Sequence, residues 1–306
     1  MKSGSNLERV FEKGEFAVTA ELGPPKGNDV EAVYEKAKYL KGVVDAVNVT
    51  DNQTAIVRMS SIATSKLILD LGLEPVMQMT CRDRNRIGMQ SDIFGATALG
   101  IKNCLCLTGD HQRFGNEIDS KNVYDLDSIQ LLSVLKTMRD EGKTLGGEGV
   151  EGDVKLFLGA AANPFGDPFE FRVIRLAKKV KAGADFIQTQ VIYDMDRFRE
   201  WMKRVRDMGL HERTHIMAGV MPLKSGGMAR YMAKNVAGVT IPDEIVKRMV
   251  AAPKGKGAAE GIKICIETIE QLKEMEGVHG VHIMALEWEH RVPEICEEAG
   301  LLPRPS

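Results

Sequence analysis

Short apolar runs recur along the chain, and longer stretches with helical spacing separate most of them. The runs cover residues 16–22, 46–50, 75–80, 104–108, 155–160, 186–190, 215–220 and 281–286. Their length and bounding turn residues predict eight strands. A representative spacer is 263–275, where Cys265, Ile266, Ile269 and Leu272 follow one helical face. Alternating strands and helices predict a parallel sheet with helices packed on it. Eight such units predict closure, so the expected class is α/β, a single (β/α)8 TIM barrel forming one domain over 1–306. The rival is a doubly wound open sheet, and no G-x-G-x-x-G follows a strand to support it. The glycine-rich segment 142–152 (GKTLGGEGVEG) and the segment 253–257 (PKGKG) read as loops within that domain.

Several runs end in a polar residue: Glu21, Thr50, Thr80, Asp110, Asn163 and Gln190 stand at or just past the C-terminal ends of strands. In a barrel those ends converge on the face where active sites are built. Polar residues also resume wherever a strand stops, which explains any one of them. It explains Gln190 less well, because Gln188 and Gln190 interrupt an apolar segment.

Composition narrows the class. With 43% hydrophobic and 27% charged residues the chain reads as folded rather than disordered. A net charge of −2 leaves no electrostatic footprint for nucleic acid or an anionic membrane. No apolar run is long enough for a membrane span, and the first residues, MKSGSNLERVFEKGEF, lack the apolar region of a signal peptide. A cytoplasmic location is therefore expected. The five cysteines, Cys81, Cys104, Cys106, Cys265 and Cys296, are an odd number with no C-x-x-C spacing. They read as structural thiols rather than disulfides or metal ligands, and no metal site is expected.

Three places carry candidate chemistry. Glu21 ends a core strand in TAELGPP, where burial raises a carboxyl pKa and suits a general acid. A solvated or lysine-paired glutamate at the rim fits equally well. Asp110 follows Gly109 in CLTGD, where glycine permits close approach of a ligand, although Gly-Asp is also ordinary turn chemistry. In 171–183 (FRVIRLAKKVKAG) Val173, Ile174, Ala177 and Val180 form the apolar face, while Arg172, Arg175 and Lys179 recur beside Lys178. Such a stripe holds a phosphate or pyrophosphate, or is a solvated helix face. The arginines of 81–86 (CRDRNR) read as mostly structural, with Asp83 or Asn85 capping the next helix. No Ser-His-Asp order, H-E-x-x-H, P-loop or EF-hand spacing is present. His111 is the one histidine in a loop attached to a candidate site strand; the others read as surface or core residues.

At these places the chain resembles the methylenetetrahydrofolate reductase family. The run TCRDRNR at 80–86, with Met89-Gln90-Ser91-Asp92, Ala98-Leu99-Gly100-Ile101 and Leu107-Thr108-Gly109-Asp110, is similar to the family's central signature. Glu21 with Pro24-Pro25, the segment 179–185 with Ile187-Gln188-Thr189-Gln190, and Gly219-Val220-Met221-Pro222 match further motifs in order along nearly the whole chain. The resemblance implies a flavin at the C-terminal face, FAD or else FMN. Its contacts would be Thr50, Asp51, Gln53, Gln78, Thr108, Gly109 and Asp110, with Tyr124 and Asp125 at the nucleotide part. Asn163, Asp167, Arg172, Arg175, Lys178 and Lys179 would hold the ribityl and phosphate groups.

The implied reaction reduces 5,10-methylenetetrahydrofolate to 5-methyltetrahydrofolate by hydride transfer from reduced flavin. Glu21 would be the acid that assists ring opening, Asp110 would act electrostatically near the flavin, and Gln190 would hydrogen-bond the pterin. NAD(P)H or an iron–sulfur partner subunit would be the electron donor, and a homo- or hetero-oligomer is expected. The chain departs from the family pattern at Met228, aligned with a substrate-side glutamine, and at Trp288, aligned with an arginine. Leu22-Gly23 stand where an aromatic pair is usual, and Asn163 and Asp167 stand where a tyrosine and a histidine are common. Two rivals remain: a non-redox pterin-binding methyl-transfer barrel, which predicts no flavin, and a non-catalytic subunit, which the Glu21, Asp110 and Gln190 set disfavours.

Overall fold

The computed structural model describes residues 1–236 and 238–305; Ala237 and Ser306, the end of the 1–306 domain expected above, lie outside the described residues. Eight parallel strands close into a barrel in chain order. They are β1 (Ala17–Leu22), β2 (Ala46–Val49), β3 (Pro75–Thr80), β4 (Asn103–Leu107), β5 (Phe157–Ala162), β6 (Phe186–Val191), β7 (His215–Val220) and β8 (Gly280–Ile283). The seam joins first to last, with Thr19 opposite His282 and Ala20 opposite Ile283.

The outer ring is built from α2 (Val30–Leu40), α3 (Ser61–Asp70), α4 (Arg86–Ala98), α5 (Ser128–Asp140), α6 (Phe169–Ala182), α7 (Met195–Asp207), α8 (Gly226–Asn235), α9 (Asp243–Ala251), α10 (Gly257–Lys273) and α11 (Val292–Glu298), while α1 (Asn6–Glu12) precedes the first strand. Several helix starts follow local capping chemistry. Asn85, rather than Asp83, caps α4 by accepting from Ile87 and Gly88 N–H, and Asp127 with Gln130 forms a capping box on α5. Helix α10 begins six residues before the expected 263. The eighth strand is shorter than the expected 281–286, because the chain turns through positive φ at Leu286 (33°) and Glu287 (59°).

Inward and outward residues alternate along each strand, so apolar layers form on both sides of the sheet, and a further cluster of Val191, Tyr193, Met221, Leu223 and Met232 lies beside β6 and β7. Outside, the strands meet the helices through a continuous apolar layer that includes Val18, Val47, Met77, Cys104, Cys106 and Ile187. Inside, the lower end is apolar: Ala17, Ala46, Val76, Leu105, Phe157, Phe186 and Met217 pack with Leu7, Val10 and Phe11 of α1, which plugs the bottom. Gly159 makes room for Phe186, whose ring would lie 2.2 Å from any added Cβ. The next layer up is polar, formed by the buried Thr19, Asn48, Gln188 and His282. All five cysteines are buried and free.

Candidate active site

Above the polar layer, at the C-terminal ends of the strands, lies a cavity of about 350 Å³. Glu21, Gln78, Asn163, Arg172, Arg175, Lys179 and Gln190 all line it, together with Gln188, Thr189, His282 and Met284. Leu105, Leu107, Ala161, Ala162 and Leu176 form its apolar walls. Seven of the expected site residues thus meet in one space, although they lie on β1, β3, β6, the end of β5 and α6.

Glu21 is the most perturbed acid there. It is 9% exposed, and burial pushes its carboxyl up to about 7; a hydrogen bond from Gln53 opposes the shift and the charge of Glu289 adds to it. The Gln53 amide donates to Oε1 at 3.3 Å, while Oε2 faces His282 Nε2 at 3.9 Å. A second, smaller chamber of about 110 Å³ touches Glu21 from another side, lined by Gly23, Gln53, Arg58, Leu286, Glu287 and Glu289. Lys36 bridges Glu287 (3.1 Å) and Glu289 (3.5 Å) at its edge. Of the two readings open for Glu21, the buried acid fits these surroundings and the solvated rim glutamate does not.

The basic stripe belongs to α6, whose apolar face packs Val173, Leu176 and Val180 on the barrel. Lys179 is the deepest of the cations. Burial, with Arg175 nearby, lowers its ammonium to about 8, and its Nζ donates to Ala161 O. Arg172 donates to the carbonyls of Gly166 (2.9 Å) and Asp167. Lys178 points away, over the Phe171 ring at 5.8 Å.

Strand β6 carries an irregularity at the site. Gln188 pairs with Met217 and Val191 with Gly219, so β6 spends three residues where β7 spends two. The side chain of Thr189 patches the gap by accepting from Gly219 N–H at 2.9 Å. That is why Gln188, Thr189 and Gln190, three consecutive residues, all line the cavity.

The remaining expected residues do not line it. Asp51 is buried beneath the rim, accepting from Thr80 N (2.8 Å) and Oγ1 (3.0 Å) and from Arg84 (2.7 Å). Thr50 is buried beside it, and its Oγ1 has no hydrogen-bond partner. Thr108 and Asp110 are exposed. Thr108 Oγ1 accepts from Ser128 N at 3.2 Å, and the Asp110 carbonyl accepts from Arg82 at 3.1 Å. The Tyr124 hydroxyl reaches the carbonyl of Gly109 at 3.3 Å, and Asp125 pairs with Arg86 at 2.7 Å, which holds its carboxyl down to about 2. These form a neighbouring lip. Asp167 pairs with Arg197 at 3.1 Å outside α6, and Met228 sits on α8, its Sδ accepting from Lys224 N at 3.4 Å. The arginines of 81–86 are tied to Asp83, Asp51, Asp92 and Asp125, as the structural reading expected. Non-glycine positive φ occurs, among the described residues, only at Asn52, Thr54, Ala55, Tyr124, Leu286 and Glu287, all in loops following β2, β4 and β8.

One site residue was not singled out by the sequence. His111 caps a short 3-10 turn with its own ring at Arg113 N, 3.3 Å away, whereas His282 is buried in the barrel against Glu21. The signal for it was a polar ring at an inward-facing position of an otherwise apolar strand.

A family model described as methylenetetrahydrofolate reductase matches residues 6–300. A probable methylenetetrahydrofolate reductase (NADPH) of Caenorhabditis elegans is 24% identical over 96% of this chain and 44% of its own length. Methylenetetrahydrofolate reductase 1 of Schizosaccharomyces pombe is 26% identical over 76% of this chain and 37% of its own. The chain therefore spans less than half the length of these relatives. In fold it is similar, with a TM-score of 0.61 at 13% identity over 96% of this chain and 98% of the other, to a Clostridium thermocellum protein described as binding two copies of 5-methyl-5,6,7,8-tetrahydrofolic acid.

Proposed function

The chain belongs to the methylenetetrahydrofolate reductase family, and from that premise we propose that it is the flavin-dependent catalytic barrel that reduces 5,10-methylenetetrahydrofolate to 5-methyltetrahydrofolate. The observation that carries the reading is Glu21: a buried carboxyl raised to about 7, in the wall of a cavity shared with Gln190 and three cations. An acid of that strength is still about half protonated at neutral pH and can give its proton to a ring nitrogen. Gln190 in the same wall offers both donor and acceptor to a pterin edge. The Clostridium protein's methyltetrahydrofolate supports the substrate class, within the limits of a shared fold.

The residues present fit a flavin. Leu105, Leu107, Ala161, Ala162 and Met284 give apolar walls for a flat ring, while Arg172, Arg175 and Lys179 give cations for a phosphate. When bound, a flavin supplies the two-electron hydride chemistry that no side chain here can supply. Gln53, Gln78, Asn163, Asp51 and the lip residues Thr108, Gly109, Tyr124 and Asp125 complete the proposed contact set, with Asp167 and Lys178 at its outer edge. Asp110 would place negative charge near the reacting centre and favour a cationic substrate form. Met228 stands by the folate side. We assign the full 1–306 to this one domain, FAD as flavin with FMN as the other candidate, and NAD(P)H or an iron–sulfur partner subunit as donor within an oligomer. The reading includes a cytoplasmic location; no helix of the described residues is long and apolar enough to cross a membrane.

An anaerobic visible spectrum of the purified chain, before and after adding methyltetrahydrofolate, tests this. The expected result is a flavin band that bleaches, the folate half-reaction running in reverse. A band that persists overturns turnover by the chain alone. No band even with FAD or FMN supplied moves the pterin-binding, non-redox alternative ahead.

A further inference from the structure

Gln188 is conspicuous in the sequence, yet its side chain turns into the barrel rather than only toward the cavity. Its amide and that of Asn48 are paired reciprocally: Asn48 Nδ2 donates to Gln188 Oε1 at 2.7 Å, and Gln188 Nε2 donates to Asn48 Oδ1 at 3.0 Å. Gln188 Nε2 also donates to Thr19 Oγ1 at 3.1 Å. Thr19 Oγ1 lies 2.9 Å from His282 Nδ1 across the closing seam. His282 Nε2 is then aimed at Glu21 Oε2, 3.9 Å away. All four residues behind Glu21 are buried, with 4% exposure or less.

The chain has a direction. A hydroxyl carries one proton. With Gln188 donating to one lone pair of Thr19 Oγ1, the Thr19 proton is free to point at His282 Nδ1, and we take the direction of this contact as Nδ1 accepting. A neutral imidazole accepting at Nδ1 carries its proton on Nε2. Burial keeps this ring neutral, lowering its pKa to about 3. In that tautomer Nε2–H faces Glu21 Oε2 as a neutral dipole at 3.9 Å, beyond direct hydrogen-bond distance. Other groups around Glu21 act differently: Gln53 donates to Oε1, Glu289 adds negative charge, and Lys36, Glu287 and Arg58 surround the small chamber.

We infer that His282 is a positioning residue for Glu21, its ring and tautomer locked by the Thr19–Gln188–Asn48 relay so that an N–H always faces the acid's free oxygen. The relay moderates what burial does. Burial alone disfavours the carboxylate, and a fixed neutral dipole partly restores it without adding a charge. The acid can then release its proton in one step and regain it in the next. The role rests on Glu21 being the acid of the proposed folate reaction, but two of its three readouts do not depend on turnover.

The test uses the flavin-loaded protein with 15N-labelled histidine. His282 is expected to show Nε2 protonated and Nδ1 bare from pH 5 to 9. In Thr19→Val the lock is gone. His282 should then show mixed tautomers, and the Glu21 carboxyl band, identified in the infrared by its loss in Glu21→Gln, should titrate about one pH unit higher than in the wild type. The alkaline limb of the folate half-reaction should move with it while KM changes less than about twofold. Thr19→Ser, which keeps the hydroxyl, should restore all three. An Nδ1-protonated His282 in the wild type overturns the inference, and needs no variant to fold. So does an unchanged Glu21 midpoint in a folded Thr19→Val. If tautomer and midpoint behave as expected but no folate turns over, the positioning role stands and the folate reading falls.

Discussion

At the scale of single residues, Glu21 is costly to the fold and useful to the proposed reaction. Its pKa is raised from 4.5 to about 7, so the folded state binds its proton more tightly than the unfolded state. The protonated form is the stable one, and the stability it contributes is lost as pH rises through about 7. Glu21→Gln should therefore stabilise the protein at pH 8, by roughly 3 kcal/mol, measured as the rise in chemical-denaturation midpoint. The same variant should lose folate turnover by on the order of 10²–10⁴-fold with flavin still bound. Wild-type turnover in Glu21→Gln would sink its assignment as the acid. The sequence placed Glu21 at the end of a strand but left open whether it was solvated or buried. What decides is Gly23, Gln53, His282 and Glu289 around it, and none of these is near in sequence except Gly23. His282 was legible only as a polar ring in an apolar strand; its significance lies in a contact with Thr19, 263 positions away.

At the scale of elements, α6 shows how a helix that is amphipathic by sequence becomes part of a site. Its spacing outlined the polar face but put Ile174 on the apolar one, where the structure buries Leu176 and leaves Ile174 43% exposed, and it did not say which cation turns inward. Leu176 and Lys179 line the cavity, whereas Lys178 lies on the outer side. Lys179 is only just cationic at neutral pH, with its ammonium at about 8. If it holds a flavin phosphate, flavin affinity should fall as pH rises through about 8, and this step should vanish in Lys179→Met; equilibrium fluorescence titration across pH 7–9 reads both. An identical pH dependence in the variant would remove Lys179 from the phosphate site. Helix α10 makes the complementary point about close packing. A Cβ on Gly261 would stand 1.8 Å from the Leu223 carbonyl, a backbone atom that cannot swing aside. Gly261→Ala should lower stability by about 3 kcal/mol or more, seen as a drop in Tm, with loss of the loop after β7 as the first change in hydrogen exchange. The alternation of strands and helices was legible because it follows from local period. The bulge in β6 was not, since a count of three residues against two exists only between paired strands.

At the scale of the whole molecule, the two ends of the barrel carry different chemistry. The mouth collects the acid and the cations; the bottom is closed by α1 against a histidine. The His215 ring stacks on Phe11 at 4.3 Å and meets His279 edge-on at 5.2 Å, and its Nδ1 has no partner. Burial, with His279 and Lys2 adding, lowers His215 to about 4. The unfolded chain takes up this proton first, so stability should decline as pH falls from about 6.5 and level off near 4. His215→Phe keeps the stack and should flatten that decline by about 2 kcal/mol, measured as Tm at pH 7 and pH 5; parallel Tm curves for variant and wild type would refute the account. The seam between β1 and β8 has a consequence in time. Thr19 and Glu21 are made early in synthesis, and His282 about 260 residues later. At roughly 5–20 residues per second, the edge of β1 waits about 13 to 52 s for its neighbour. Until β8 arrives, neither the relay nor the finished acid exists, so the nascent barrel carries its most hazardous open edge and no chemistry at all.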